Sequence, residues 1–205
     1  MNSYTTIHKS ASFEYEDRRS IFIGEAAPIA TESEALDFIA SVKKKYSDAN
    51  HHVYAYVLRE NQVMRFSDDR EPQGTAGMPT LDAIRKRGCT DMAVVTIRYF
   101  GGTLLGTGGL VRAYSSAAVG AIEKAQVITY ALYTTLSIGV TYSDYQKITS
   151  VLSAEGFRVS DTKYQDNIVI IGSIQSSQLD DFMKKITEIT SGRGEIKKND
   201  EKFEY

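Results

Sequence analysis

Met92-Ala93-Val94-Val95-Thr96-Ile97-Arg98-Tyr99-Phe100 runs directly into Gly101-Gly102-Thr103-Leu104-Leu105-Gly106-Thr107-Gly108-Gly109. The first nine residues are aliphatic, β-branched and aromatic, the composition of a buried strand. Beyond the glycines, Leu110, Tyr114, Ala118, Ala121, Ile122 and Ala125 recur at helical spacing. The junction therefore reads strand, glycine loop, helix. The first turn of a helix has unpaired N–H groups and a partial positive charge, and residues without side chains let a phosphate or carboxylate come close. Gly101, Gly102, Gly106, Gly108 and Gly109 form a candidate anion cradle, with Arg98 and Arg112 supplying charge beside it.

This loop is not a strong nucleotide signature. A P-loop ends in Gly-Lys-Ser or Gly-Lys-Thr, whereas Gly108-Gly109 leads into Leu110 with no lysine to reach terminal phosphates. A dinucleotide site wants an acidic residue on a second strand about twenty residues on, but here the chain continues through a helix of small residues. A plain structural reading, in which the glycines only make a tight bend under a closely packed helix, competes with the anion cradle.

Working outward, 205 residues suffice for two small domains, each with its own core. Three prolines, no tryptophan and the single Cys89 exclude a disulfide scaffold and fit a reducing compartment. No apolar stretch has the length of a signal peptide or a membrane span, so a cytoplasmic protein is expected. The net charge of -2 argues against a basic nucleic-acid coat, so any contact with a polyanion must be local.

In the first domain, residues 1–128, Ser12 to Ile23 reads as a strand region. Thr31 to Tyr46 follows as a helix, with Thr31 and Glu34 as a capping box. His51 to Leu58 and Val63 to Phe66 form a hairpin around Arg59-Glu60-Asn61-Gln62. A polar loop from Ser67 to Gly74 then leads into a helix that ends near Arg87. The second domain, residues 134–205, reads strand, helix, hairpin, helix, strand. This β-α-β-β-α-β order is that of a ferredoxin-like sandwich. The fold class is α+β in two domains.

Strand alternation places Val53, Ala55 and Val57 on one side and His52, Tyr54 and Tyr56 on the other. Likewise Ala93, Val95, Ile97 and Tyr99 oppose Thr96, Arg98 and Phe100. If the aliphatic sets pack on helices, the other face carries His52, Tyr54, Tyr56, Arg98 and Phe100, and aromatics interleaved with cations suit base stacking. Burial of this face beneath other protein is the competing expectation. His51 and His52 point to opposite faces and cannot jointly hold a metal, so no metal or cofactor is expected. Asp68, Asp69 and Glu71 can share a proton or hold a hard cation, though capping of the Thr75 or Gly77 N–H groups is the plainer role.

Taken together, His51-His52-Val53-Tyr54-Ala55-Tyr56, Phe66-Ser67-Asp68-Asp69 with Glu71-Pro72 and Gly74-Thr75-Ala76-Gly77, and Arg98-Tyr99-Phe100-Gly101-Gly102 with Leu105 through Tyr114 closely resemble the IMPACT family, in its bacterial YigZ-like branch. The resemblance implies an N-terminal α/β domain similar to the second domain of a ribosomal small-subunit protein. It also implies a C-terminal ferredoxin-like domain similar to the last domain of elongation factor G. Eukaryotic relatives are similar only in the N-terminal part and act as translational regulators, competing for the activator of an initiation-factor kinase that the bacterial branch lacks. Binding of RNA, the ribosome or a ribosome-associated protein is the implied activity, and no catalytic residue comes with it. Arg70 stands where the family motif leads one to expect glycine, which puts the shape of that loop in question if it needs a positive φ.

The leading reading is thus a non-enzymatic binding protein linked to translation, using the glycine-loop amides, Arg98 and Arg112 for charge, and Tyr54, Tyr56 and Phe100 for stacking. The alternative is a phosphate-binding enzyme, kinase-like or hydrolytic, that joins this loop to the Asp68, Asp69 and Glu71 cluster. Self-association through the aromatic face is a third possibility.

Overall fold

Val53, Ala55 and Val57 alternate with Tyr54 and Tyr56, a period of two that offers a strand two usable faces. The computed structural model, which describes residues 2–205, packs protein against both. The chain divides into two compact units, Tyr4–Thr129 and Tyr130–Tyr205, the second taking in Asn2 and Ser3. After β1 (Ser3–Ile7), of which all but Ser3 falls in it, the first unit contains β2 (Ala11–Asp17), β3 (Ser20–Pro28), α1 (Glu32–Lys45), β4 (His51–Leu58), β5 (Val63–Ser67), α2 (Gly77–Arg85), β6 (Met92–Tyr99) and α3 (Gly106–Lys124).

Its main sheet has the order β2-β3-β6-β4-β5, with every neighbour antiparallel. One face packs on α1 through Ile39, Val42, Tyr56, Ala93, Val95 and Ile97. The other packs on α2 and α3 through Ala55, Val57, Leu81, Ile84, Val94 and Ile122. Phe22, Val53, Ala113 and Tyr114 extend that second core, with Phe22 and Tyr114 edge to face at 5.1 Å. A three-layer sandwich therefore encloses β6, which is why its residues are apolar on both sides. Thr31 caps α1 by accepting from the Glu34 N–H, while the Glu34 carboxylate reaches back to the N–H of Ala30.

The strand region expected around Ser12 to Ile23 is a hairpin, turned at Arg18 (φ +46°) and Arg19 (φ +67°). Two consecutive left-handed residues make the tight turn that matches strand twist. Neither is glycine or asparagine, so the usual turn signal is missing.

The second unit places β7 (Val127–Val140), α4 (Tyr142–Ala154), β8 (Arg158–Tyr164), β9 (Ile168–Gln175), α5 (Leu179–Ile189) and β10 (Glu195–Glu204) in a ferredoxin-like order, with strands β10-β7-β9-β8 antiparallel throughout. Leu136, Ile138, Ile148, Ile170, Phe182 and Ile186 fill its core. The molecule is α+β with two domains.

Asp144 is a fastening point of this unit. Its buried carboxylate takes two hydrogen bonds from Arg193, at 2.8 and 3.1 Å, and one from Lys147 at 3.3 Å. The Arg193 hydrogen bonds lead in holding its pKa down at about 2. A folded-state pKa below the unfolded value stabilises the fold fully above the unfolded pKa of about 3.9, and that contribution fades as pH falls toward 2. Thermal melts of Asp144→Asn are therefore expected to lie below wild type at neutral pH and to converge with it as the pH approaches 2.

Candidate nucleic-acid interface

Strand direction gathers several loops at one end of the first unit's sheet. These are the β2–β3 turn, the α1–β4 connection, the β5–α2 loop and the glycine segment between β6 and α3. The glycine segment is fitted against the β2–β3 turn. The Gly101 N–H donates to Ser20 Oγ at 3.1 Å, and a β-carbon on Gly101 would strike the backbone of Arg19 and Ser20. Arg18 Nη1 donates to the Leu104 carbonyl at 3.5 Å. Gly102 (φ +82°) and Gly106 (φ +72°) use backbone conformations that side chains disfavour.

α3 starts at Gly106 with no side-chain cap, and Gly102, Gly106 and Gly108 have open space where a side chain would stand. Among the described residues no acceptor takes the N–H groups of Gly102 to Gly108. Arg18 and Arg19 lie beside this opening and Arg112 lies further along α3; all three are exposed and none has a carboxylate partner among the described residues. Phe100, 46% exposed, and Leu104, 81% exposed, add apolar area.

Arg98 is placed differently from expectation. It lies opposite His51 in register, on the α2/α3 side, and is only 5% exposed. Its Nη1 donates to Glu71 Oε1 at 2.6 Å, and the same oxygen accepts the Tyr114 hydroxyl at 2.7 Å. His51 Nε2 stands 3.7 Å from it. Burial first, and the Glu71 charge next, push the Tyr114 hydroxyl far above its ordinary pKa. The Arg98 guanidinium also sits 5.4 Å from the rings of both Phe22 and Phe100. This ion pair ties β6, α3 and the loop after β5 together beneath the surface.

The expected shared aromatic face is corrected by the register. His52, Tyr54 and Tyr56 lie opposite Ile97, Val95 and Ala93, so they face α1, on the other side of the sheet from Arg98. Alternation within each strand is legible, but both faces of the central strands are packed, so aliphatic character could not say which sets align. Tyr56 is buried, hydrogen-bonded to Glu32, and pushed up to about 12 chiefly by that burial. Tyr54 stacks on Tyr56 at 6.4 Å under Lys43. His52 donates from Nε2 to the Tyr46 carbonyl.

All three loop carboxylates have internal work. Asp68 accepts from the N–H groups of Gly74, Ala76 and Gly77 at 2.7–3.0 Å and so caps α2. Asp69 accepts from the His52 N–H at 2.6 Å, and its carbonyl takes the His51 Nδ1–H at 2.9 Å. Glu71 holds Arg98. Arg18 and Arg19 are not among the residues the sequence singles out, since they lie within the strand region around Ser12 to Ile23, although the polar quartet Asp17-Arg18-Arg19-Ser20 is a signal for a turn there.

The Impact N-terminal domain model matches residues 18–122, and a domain of unknown function, DUF1949, matches residues 138–193. The chain is 32% identical over 201 residues to IMPACT family member YvyE of Bacillus subtilis, covering 98% of this chain and 93% of that one. It is 30% identical over 180 residues to IMPACT family member YigZ of Escherichia coli, covering 86% and 88%. Protein IMPACT of Bos taurus is similar over 94 residues, 44% of this chain and 30% of its own length, at 33% identity. A crystal structure of a hypothetical protein superposes with a TM-score of 0.61 and 28% identity over 98% of each chain. With the N-terminal domain model matched over half its length and bacterial members aligned along nearly all of it, this chain belongs to the IMPACT family.

Proposed function

We propose that this protein is a non-enzymatic binding module of translation or its regulation, and that it contacts the phosphodiester backbone of RNA, ribosomal RNA included, through the start of α3. The observation that carries this reading is the run of unclaimed amide groups from Gly102 to Gly108, flanked by the exposed Arg18, Arg19 and Arg112. Helix-start amides and guanidinium groups are the donors that phosphate oxygens take. Phe100 offers an exposed ring for stacking at the same end of the sheet. An enzyme would need a free acid or base beside the loop, but Asp68, Asp69 and Glu71 are committed to internal bonds. With a net charge of -2, attraction is local to this end of the unit.

The test is a salt titration of a short labelled single-stranded RNA against the full chain and the Arg18→Ala, Arg19→Ala, Arg112→Ala triple variant. Each phosphate contact contributes about 0.7 to the slope of log affinity against log salt, so the triple variant is expected to lose about 2 from that slope. No binding at low salt, or an unchanged slope in the variant, overturns the proposal.

A further inference from the structure

We infer that Arg70 is a further RNA-contacting residue of this interface, and that its left-handed backbone is kept in order to present its guanidinium; the inference rests on the reading proposed above. Asp69 (φ +42°) and Arg70 (φ +71°) are consecutive left-handed residues, a conformation that disfavours any residue with a β-carbon. Neighbouring bonds hold the bend. The Glu71 N–H donates to the Asp68 carbonyl at 2.9 Å, the Asp69 N–H donates to Ser67 Oγ at 3.1 Å, and His51 and His52 clamp Asp69 from β4.

Asp69 recovers its cost through those side-chain and carbonyl bonds. Arg70 recovers nothing inside the protein, since its side chain is exposed and has no hydrogen bond or ion pair among the described residues. Glycine would serve the backbone better here. Arginine at such a position points to a use for the side chain outside the chain.

The charge pattern gives the same direction independently. Arg59, Arg85, Arg87, Arg98, Arg158 and Arg193 each lie against a carboxylate. Arg65 donates to the Met64 carbonyl. Among the described residues, the arginines left without either a carboxylate or a short-range backbone use are Arg19, Arg70 and Arg112, with Arg18 reaching only the Leu104 carbonyl at 3.5 Å. Arg70 shares their end of the sheet: the Asp69–Arg70 peptide is held by His51, His51 pairs with Arg98, and Phe100 and the glycine segment follow Arg98 directly. Arg18 and Arg19 stand in the β2–β3 turn and Arg70 in the β5–α2 loop, so exposed arginines occupy two of the loops at the end of the sheet where α3 starts. Guanidinium donors match phosphate oxygens in pairs.

Arg70→Gly and Arg70→Lys, each in the full chain, test this with the same labelled single-stranded RNA. The expected result for Arg70→Gly is a raised urea midpoint together with severalfold weaker binding and a salt slope shallower by about 0.7. Arg70→Lys, which keeps the charge, is expected to leave the slope at the wild-type value. If Arg70→Gly changes only the midpoint while Arg112→Ala weakens binding, Arg70 is structural and the inference fails although the interface stands. If wild type binds no RNA at low salt, both fall.

Discussion

Glu71→Ala is expected to destabilise the first unit by about 3–5 kcal/mol, read as an earlier urea transition of the full chain. The carboxylate is the acceptor shared by Arg98 Nη1 and the Tyr114 hydroxyl. Truncating it strands a guanidinium that is 5% exposed and whose Nε already has no partner among the described residues. Desolvated charge without a counter-ion is costly, so the loss is expected to exceed the value of the hydrogen bonds alone. A double-mutant cycle separates the two effects. Glu71→Leu combined with Arg98→Met removes both charges and fills their volume, and is expected to recover much of the lost stability. If the double variant falls as far as the sum of the single ones, the pair is not coupled and this account of it is wrong.

Gly101→Ala is expected to cost about 1–3 kcal/mol and, under the function proposed above, to weaken RNA binding together with stability. The added methyl group meets the backbone of Arg19 and Ser20, not a side chain that can rotate away. Relief requires the β2–β3 turn and the glycine segment to separate, which also moves Arg18 and Arg19 away from the amides of α3. Gly108→Ala is the matched comparison, because open space surrounds its Cβ position. It is expected to retain the wild-type urea midpoint or exceed it, since alanine favours a helix start's interior more than glycine does. Equal midpoints for Gly101→Ala and wild type would show that the two loops are not pressed together as described.

Much of the architecture was legible because it depends on local chemistry. The Thr31 and Glu34 pair announces α1, the apolar run before Gly101 announces β6, and the small residues after Gly109 announce a helix that lies close on its sheet. Gly24 shows the last point from the other side, with the Ala117 backbone of α3 directly over it. The β2–β3 hairpin was missed because Arg18 and Arg19 adopt a turn without the residues that normally mark one.

The candidate interface was legible only in part. Five glycines clustered where a strand gives way to a helix are enough to say where unpaired amides gather, because that follows from chain geometry over a few residues. The fate of each charged side chain does not follow from its neighbours in sequence. Arg98 and Arg112 look equivalent on either side of the loop, yet Arg98 is spent on Glu71, 27 residues away, while Arg112 faces solvent. Residue order alone determined the two-domain α+β plan and the position of the glycine loop, since these rest on periodicity and backbone freedom. Only the tertiary structure decided which arginines are free to meet a ligand, because strand register and long-range ion pairing settle which charges are neutralised inside and which remain at the surface.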